Sequence, residues 1–236
     1  AGEAIAELEA LPVLERTGTW QDYVLGVARE LARAGAEIKP VELVVDSSVP
    51  LGGGLSSSAA LEVASALALL NGQGMERLEL ARLCQRAERE FVGMPCGIMD
   101  QYVSVFGEEG HAVMIDCRNV THQLVPLPGH LEIVAVNSMV KHELGSSAYR
   151  QRVAECAQAL AAFPGKASLR EVSLEELERE AKYMAEIPLA RARHVVLENW
   201  RVHQFLEAAR RADAERMGCL LVESHRSLRD DYEVSC

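Results

Sequence analysis

The chain is short of positive charge. Its 236 residues carry 24 Lys and Arg against 35 Asp and Glu, a formal net charge of −11. That deficit excludes a nucleic-acid partner, which would want a basic stripe, and an anionic membrane surface. No apolar run reaches membrane-spanning length, and no targeting segment is expected. The six cysteines (84, 96, 117, 156, 219 and 236) are scattered without a C-x-x-C pair, so reduced thiols in the cytoplasm are expected. The seven histidines are not spaced as zinc ligand pairs. Neither G-x-x-x-x-G-K-[ST] nor G-x-G-x-x-G occurs. The chain opens at Ala1 and stops at Cys236 directly after a helical pattern, so it reads as cut at both ends.

What is present is a hydrophobic content of 49%, enough for a real core, in a chain long enough for one large domain or two small ones. Helical spacing predicts a helix over residues 20–35, closed by Gly35. Val41, Leu43 and Val45 alternate with polar neighbours as in a half-buried strand. Residues 59–70 are nearly all alanine, leucine and valine, the mark of a buried helix, and Asn71-Gly72 breaks it. Leu80, Leu83, Cys84 and Ala87 form the stripe of the next helix, with Glu88 at its edge. A further helix is expected from Asp100, and strands over 111–117 and 131–138. The last third reads as helices over 147–162, from a capping box at Ser173 to Glu176, over 191–210, and around Met217, Leu220, Leu221, Ser224 and Leu228. Strands and helices do not alternate regularly, which favours an α+β class over a doubly wound sheet. The turn at Pro126, Pro128 and Gly129 is the expected boundary between lobes 1–125 and 126–236.

The densest signal is Gly52, Gly53, Gly54, Leu55, Ser56, Ser57 and Ser58, between a strand-like run and a buried helix. Glycines let backbone approach a ligand closely, and a helix start offers free N–H groups and the positive end of the dipole to phosphate. The plain alternative is a strand-to-helix turn with serine caps. Glu88 is either a solvated acid or a placed one; Asp100 either caps a helix or acts on substrate. Together these parts outline phosphoryl transfer: amides for phosphates, a serine hydroxyl and a glutamate for magnesium, a second carboxylate for the acceptor hydroxyl.

Pro50 to Ala60 resembles the signature of the galactose, homoserine, mevalonate and phosphomevalonate kinase superfamily, with its Pro-x-x-x-Gly-Leu-Ser-Ser-Ser-Ala pattern. Residues 91–101 (Phe-Val-Gly-Met-Pro-Cys-Gly-Ile-Met-Asp-Gln), 111–118 and 222–236 are similar to runs of its galactokinase family. The resemblance implies a two-lobed small-molecule kinase fold of mixed sheets and helices, incomplete at both ends. It implies ATP and Mg2+ as cofactor and metal, galactose as substrate, and transfer to the C1 hydroxyl. Gly52 to Ser58 would wrap the ATP phosphates; Ser58 and Glu88 resemble the magnesium ligands; Asp100 resembles the catalytic base. Gly97 and Tyr149 match sugar-contacting positions, and Trp20 and Tyr23 the aromatic pair near adenine. The expected partners are small molecules, and the expected state is a monomer.

Two motifs of the resemblance are absent: the opening Gly-Arg-Val-Asn-Leu-Ile-Gly-Glu-His-Thr-Asp-Tyr run and the glycine-rich loop near the C-terminus. The chain thus looks like the middle of such a kinase and is expected to be inactive alone. Two alternatives stay open: a non-catalytic galactose and ATP sensor acting on transcription, and an N-acetylgalactosamine kinase. The complete Ser56-Ser57-Ser58-Ala59-Ala60 run favours the enzyme over the sensor.

Overall fold

The structure is a computed structural model that describes residues 4–50, 54–136 and 146–234, with the side chains of 146–149 left aside. It falls into two compact units, residues 1–124 with 135–141, and residues 125–134 with 142–236.

The first unit is built on four helices: α1 (Asp22–Arg33), α2 (Ser57–Leu70), α3 (Arg77–Arg86) and α4 (Met99–Phe106). Helix α1 ends as its sequence predicts. The amide of Ala36 reaches Leu31 O at 3.0 Å, and Gly35 takes φ +81°. Helix α2 is apolar on nearly every side and packs against α1, α3 and α4; Asn71, left-handed at φ 44°, stops it. Glu76 caps α3 by accepting the Glu79 amide at 2.9 Å. Val27, Leu31, Val63, Ala66, Leu69, Leu80, Leu83, Cys84 and Ala87 meet in one core, which includes the predicted α3 stripe.

Beyond Arg86 the helix widens into a π-helical turn, Ala87–Val92, closed by Gly93 at φ +83°. Glu88 O accepts the amides of both Gly93 and Met94 at 3.0 Å. The wider turn brings Phe91 onto α1 at Gly26, where a Cβ would lie 2.9 Å from the Phe91 ring. A hairpin follows: β1 (His111–Asp116) and β2 (Thr121–Pro126) pair across a four-residue turn, which forces them antiparallel.

The second unit holds α5 (Ser146–Leu160), α6 (Leu174–Glu180), α7 (Glu186–Arg210) and α8 (Ala214–Asp230). The capping box forms as predicted: Ser173 Oγ accepts the Glu176 amide at 3.2 Å and Glu176 Oε2 accepts the Ser173 amide at 2.8 Å. Ala159, Phe163, Leu169, Val172, Leu177, Ala192 and Val196 form its core. Buried Arg191 ties three parts of this unit together. It donates to Glu155 Oε2 at 2.7 Å, Asp231 O at 2.5 Å and Glu233 Oε2 at 2.5 Å.

Two sequence expectations fail. Residues 41–46 and 131–136 form no strand among the described residues, and positions 137 and 138 of the second run lie outside them. Val44 and Ile133 stand 89% and 85% exposed. Their alternating pattern fits a sheet, but a strand needs a partner's hydrogen bonds, and no described segment supplies them. Strand β2 was not expected, because its outward residues Thr121, His122 and Gln123 interrupt the apolar pattern. Of the residues expected together on α8, Met217 and Leu220 are buried and Leu221 is exposed, while Ser227 takes an inner position.

Candidate active site

In the glycine-serine turn, Gly52 and Gly53 lie outside the described residues. Gly54 takes φ +71°, which favours glycine, and Ser56 sits left-handed at φ 53°. A non-glycine residue there costs about 1–3 kcal/mol, a strain found where a backbone is shaped for a task. Ser56 is the N-cap of α2 yet makes no capping hydrogen bond through its side chain. The serine-cap alternative therefore fails at that position. Leu55 is exposed, and Ser57 and Ser58, both half-buried, open the first turn of α2.

One turn further along α2 stands Glu62, the only charged residue of that helix and wholly buried. The buried amide of Gln101 on α4 donates to Glu62 Oε2 at 3.0 Å and to Glu88 Oε2 at 2.5 Å. Glu88 is thus no solvated acid: the π-helical turn directs it inward, where it is 7% exposed. Burial first, then the nearby charge of Glu88, push the Glu62 carboxyl up to about 8, and Asp100 adds to the rise. Glu62 Oε1 and Gln101 Oε1 are both buried, with no hydrogen-bond partner among the described residues. A proton on Glu62 would make it the donor that the Gln101 carbonyl lacks, a natural pairing of carboxylic acid with primary amide.

The surroundings carry the same field. Burial and then Glu88, through its charge and a hydrogen bond, push the Cys96 thiol up to about 12. The Tyr23 hydroxyl is raised by burial and then by Glu88 and Glu62, so it faces this carboxylate cluster. Trp20 precedes α1 in a turn and is 45% exposed. That turn is shaped by buried Asp22, which accepts from the Thr17 amide and hydroxyl at 2.8 Å and the Gly18 amide at 2.7 Å.

Asp100 occupies the first turn of α4, half-buried, and does not cap it, since Ile98 is the N-cap. Its charge reaches Glu62, so it stands by the same cluster. Gly97 is exposed in the loop before α4 and lines a cavity of about 500 Å³ with Arg82, Gln85, Arg86, Ile98, Cys117 and Val120. The side chain of Tyr149 lies outside the described residues. Tyr23, Glu88 and Asp100 are thus coupled through charge to Glu62, and Ser58 lies one helical turn before Glu62 on α2. Sequence reasoning passed over Glu62 and Gln101. A single acid inside an otherwise apolar helix was the available signal for Glu62; Gln101 had none apart from following Asp100.

Among the described residues no three His, Cys, Asp or Glu side chains cluster as a metal-holding group. The donors at hand are a carboxylate, Glu88, and a hydroxyl, Ser58. Such hard oxygen donors fit Mg2+, which keeps several waters and takes further ligands from phosphates.

Residues 22–108 match the GHMP kinases N terminal domain. The chain is 48% identical to human galactokinase over 96% of its own length and 59% of that protein. It is 43% identical to galactokinase of Thermotoga neapolitana over 99% of its own length and 66% of that protein. The crystal structure of Lactococcus lactis galactokinase complexed with galactose superposes on 95% of the chain and 60% of that protein, with TM-score 0.83 and 34% identity. The chain thus spans about 60% of the length of the relatives it matches. The α+β architecture expected from the sequence is shared with that structure. The glycine-serine turn opening α2 and the acids of the π-helical turn and α4 all fall inside the matched domain, and the chain belongs to the GHMP kinases.

Proposed function

We propose that the protein carrying this chain transfers the γ-phosphoryl group of ATP to the C1 hydroxyl of galactose. One observation carries the reading. The Glu62–Gln101–Glu88 knot fastens α2, the π-helical turn and α4 together, which supports a shared site for Ser58 at the start of α2, Glu88 in the turn and Asp100 on α4. Supporting it are the galactokinase relatives along nearly the whole chain and a galactose-bound structural neighbour.

In this reading the amides of residues 52–58 and the first turn of α2 hold the phosphates, aided by the helix dipole. Ser58 and Glu88 would hold Mg2+, whose charge offsets that of the phosphates. Asp100 orients the sugar hydroxyl and accepts its proton. Phosphoryl transfer passes through a loose transition state, so alignment supplies most of the rate. Gly97 and Tyr149 would contact the sugar, and Trp20 and Tyr23 the adenine. The scattered thiols suit the cytoplasm. Lobe limits at 1–125 and 126–236 belong to the same reading.

The test is ADP release with galactose by protein expressed from its complete coding sequence. Asp100→Ala should lower turnover by about 10²–10⁴-fold, with the melting temperature nearly unchanged, because among the described residues no hydrogen bond of its carboxylate holds the fold together. Turnover with N-acetylgalactosamine alone would reassign the sugar. Binding of galactose and ATP without ADP release would make the protein a sensor. An Asp100→Ala variant with wild-type turnover would refute the assignment of the base.

A further inference from the structure

Resting on that reading, we propose that Gln101 is a positioning residue of the phosphoryl-transfer site: its amide holds Glu88 against α2 and so keeps Ser58, Glu88 and Asp100 in one frame. Gln101 is 0% exposed, and both N–H groups of its side chain are used on carboxylates. Those acceptors are 39 and 13 residues away in sequence, on two different elements. The amide is therefore a long-range clamp and not a local turn bond.

A purely structural glutamine would serve equally well on any buried carbonyl. Here the acceptors are an acid one turn from Ser58 and the acid offered as a metal ligand, and the donor's own chain neighbour is Asp100. Backbone bonds fix one edge of Glu88, through Gly93 and Met94 on its carbonyl. They leave its side-chain angles free. The 2.5 Å bond from Gln101 fixes the carboxylate itself. Groups that orient a metal-binding carboxylate typically change metal affinity or activity by about 10–100-fold when removed.

Removal of the amide by Gln101→Met keeps length and volume close. In protein from the complete coding sequence, kcat/KM should fall by about 10–100-fold. The Mg2+ concentration for half-maximal rate should rise by about 10-fold. Calorimetry with ADP supplies a readout independent of turnover: the gain in affinity on adding Mg2+ should shrink by about 10-fold, with affinity in EDTA unchanged. Gln101→Asn, which cannot reach both carboxylates from a chain one methylene shorter, should move the same quantities less and serves if the Met variant does not fold. A folded variant with lowered melting temperature but wild-type Mg2+ dependence, in rate and in ADP binding, would reduce Gln101 to a packing residue and overturn the proposal. Wild-type protein that neither binds MgADP nor phosphorylates galactose would overturn the functional reading, and this inference with it.

Discussion

At the residue scale, Glu62 is, among the described carboxyl groups, the one pushed furthest from its ordinary range. Buried and facing Glu88, its carboxyl titrates near 8 in the folded chain against 4.5 when unperturbed. The folded state therefore binds a proton that the unfolded state has released between those values. Stability from this group is complete below about pH 4.5 and is lost as pH rises through 8, amounting to a few kcal/mol. Glu62→Gln keeps an acceptor for Gln101, supplies an amide N–H in place of the acid proton, and cannot ionise. Its melting temperature should exceed that of wild type at pH 8 and converge with it near pH 5, as followed by circular dichroism. A wild-type slope retained in the variant would show that Glu62 is not the titrating group. The same residue marks the limit of what the sequence disclosed. Ser58, Glu88 and Asp100 stood out by motif, whereas the contacts joining them link residues 39 and 13 positions apart and leave no local pattern.

At the element scale, the helices were legible, whereas of the expected strands only β1, foreseen over 111–117, forms among the described residues, for one physical reason. A helix closes its hydrogen bonds within its own sequence, so α2, α4 and the capping box of α6 appeared within one or two residues of their expected starts. A strand is a property of two segments, and residues 41–46 and 131–136 carry the pattern without a described partner. The π-helical turn was equally hidden, because the extra residue it absorbs leaves no compositional trace. Its placement depends on Gly26 of α1, buried under Phe91. In an exposed helix Gly→Ala would stabilise by about 1 kcal/mol. Here the new methyl would lie 2.9 Å from a ring that is itself 4% exposed and cannot swing away. Overpacking costs about 1–3 kcal/mol, so Gly26→Ala should be net destabilising by up to about 2 kcal/mol in urea unfolding. If α1 shifts away from Phe91 instead, Glu88 moves with the turn and activity falls as well. An Ala variant more stable than wild type would show that α1 and the turn are not packed this tightly.

At the scale of the whole molecule, the two units carry buried charge of opposite habit. The first holds Glu62, whose proton stabilises. The second holds Glu155, brought down to about 2 because hydrogen bonds from Arg191, Gln151 and Arg152 outweigh its burial. It also holds His194, brought down to about 4 by burial and then by Arg201, with Arg191 adding to the fall and Asp231 opposing it. His194 lies stacked on Tyr232 and bonded to Ser227 Oγ at 3.0 Å. For both groups the folded state binds fewer protons than the unfolded state. The stability tied to His194 is present above about pH 6.5 and lost toward 4; that tied to Glu155 is lost between about 4.5 and 2. Acidification from pH 8 to 5 therefore strengthens the first unit and weakens the second. Of the net charge of −11, −8 lies in the first unit and −3 in the second, so the relief of repulsion as pH falls favours the first unit and acts in the same direction. Hydrogen exchange, corrected for the intrinsic rate at each pH, should show α2 and α3 gaining protection relative to α7 and α8 on going from pH 8 to 5. His194→Phe, which keeps an aromatic face on Tyr232 and cannot take a proton, should remove most of the change in α7. If both units gain or lose protection in the same proportion, buried titration does not govern the stability of either.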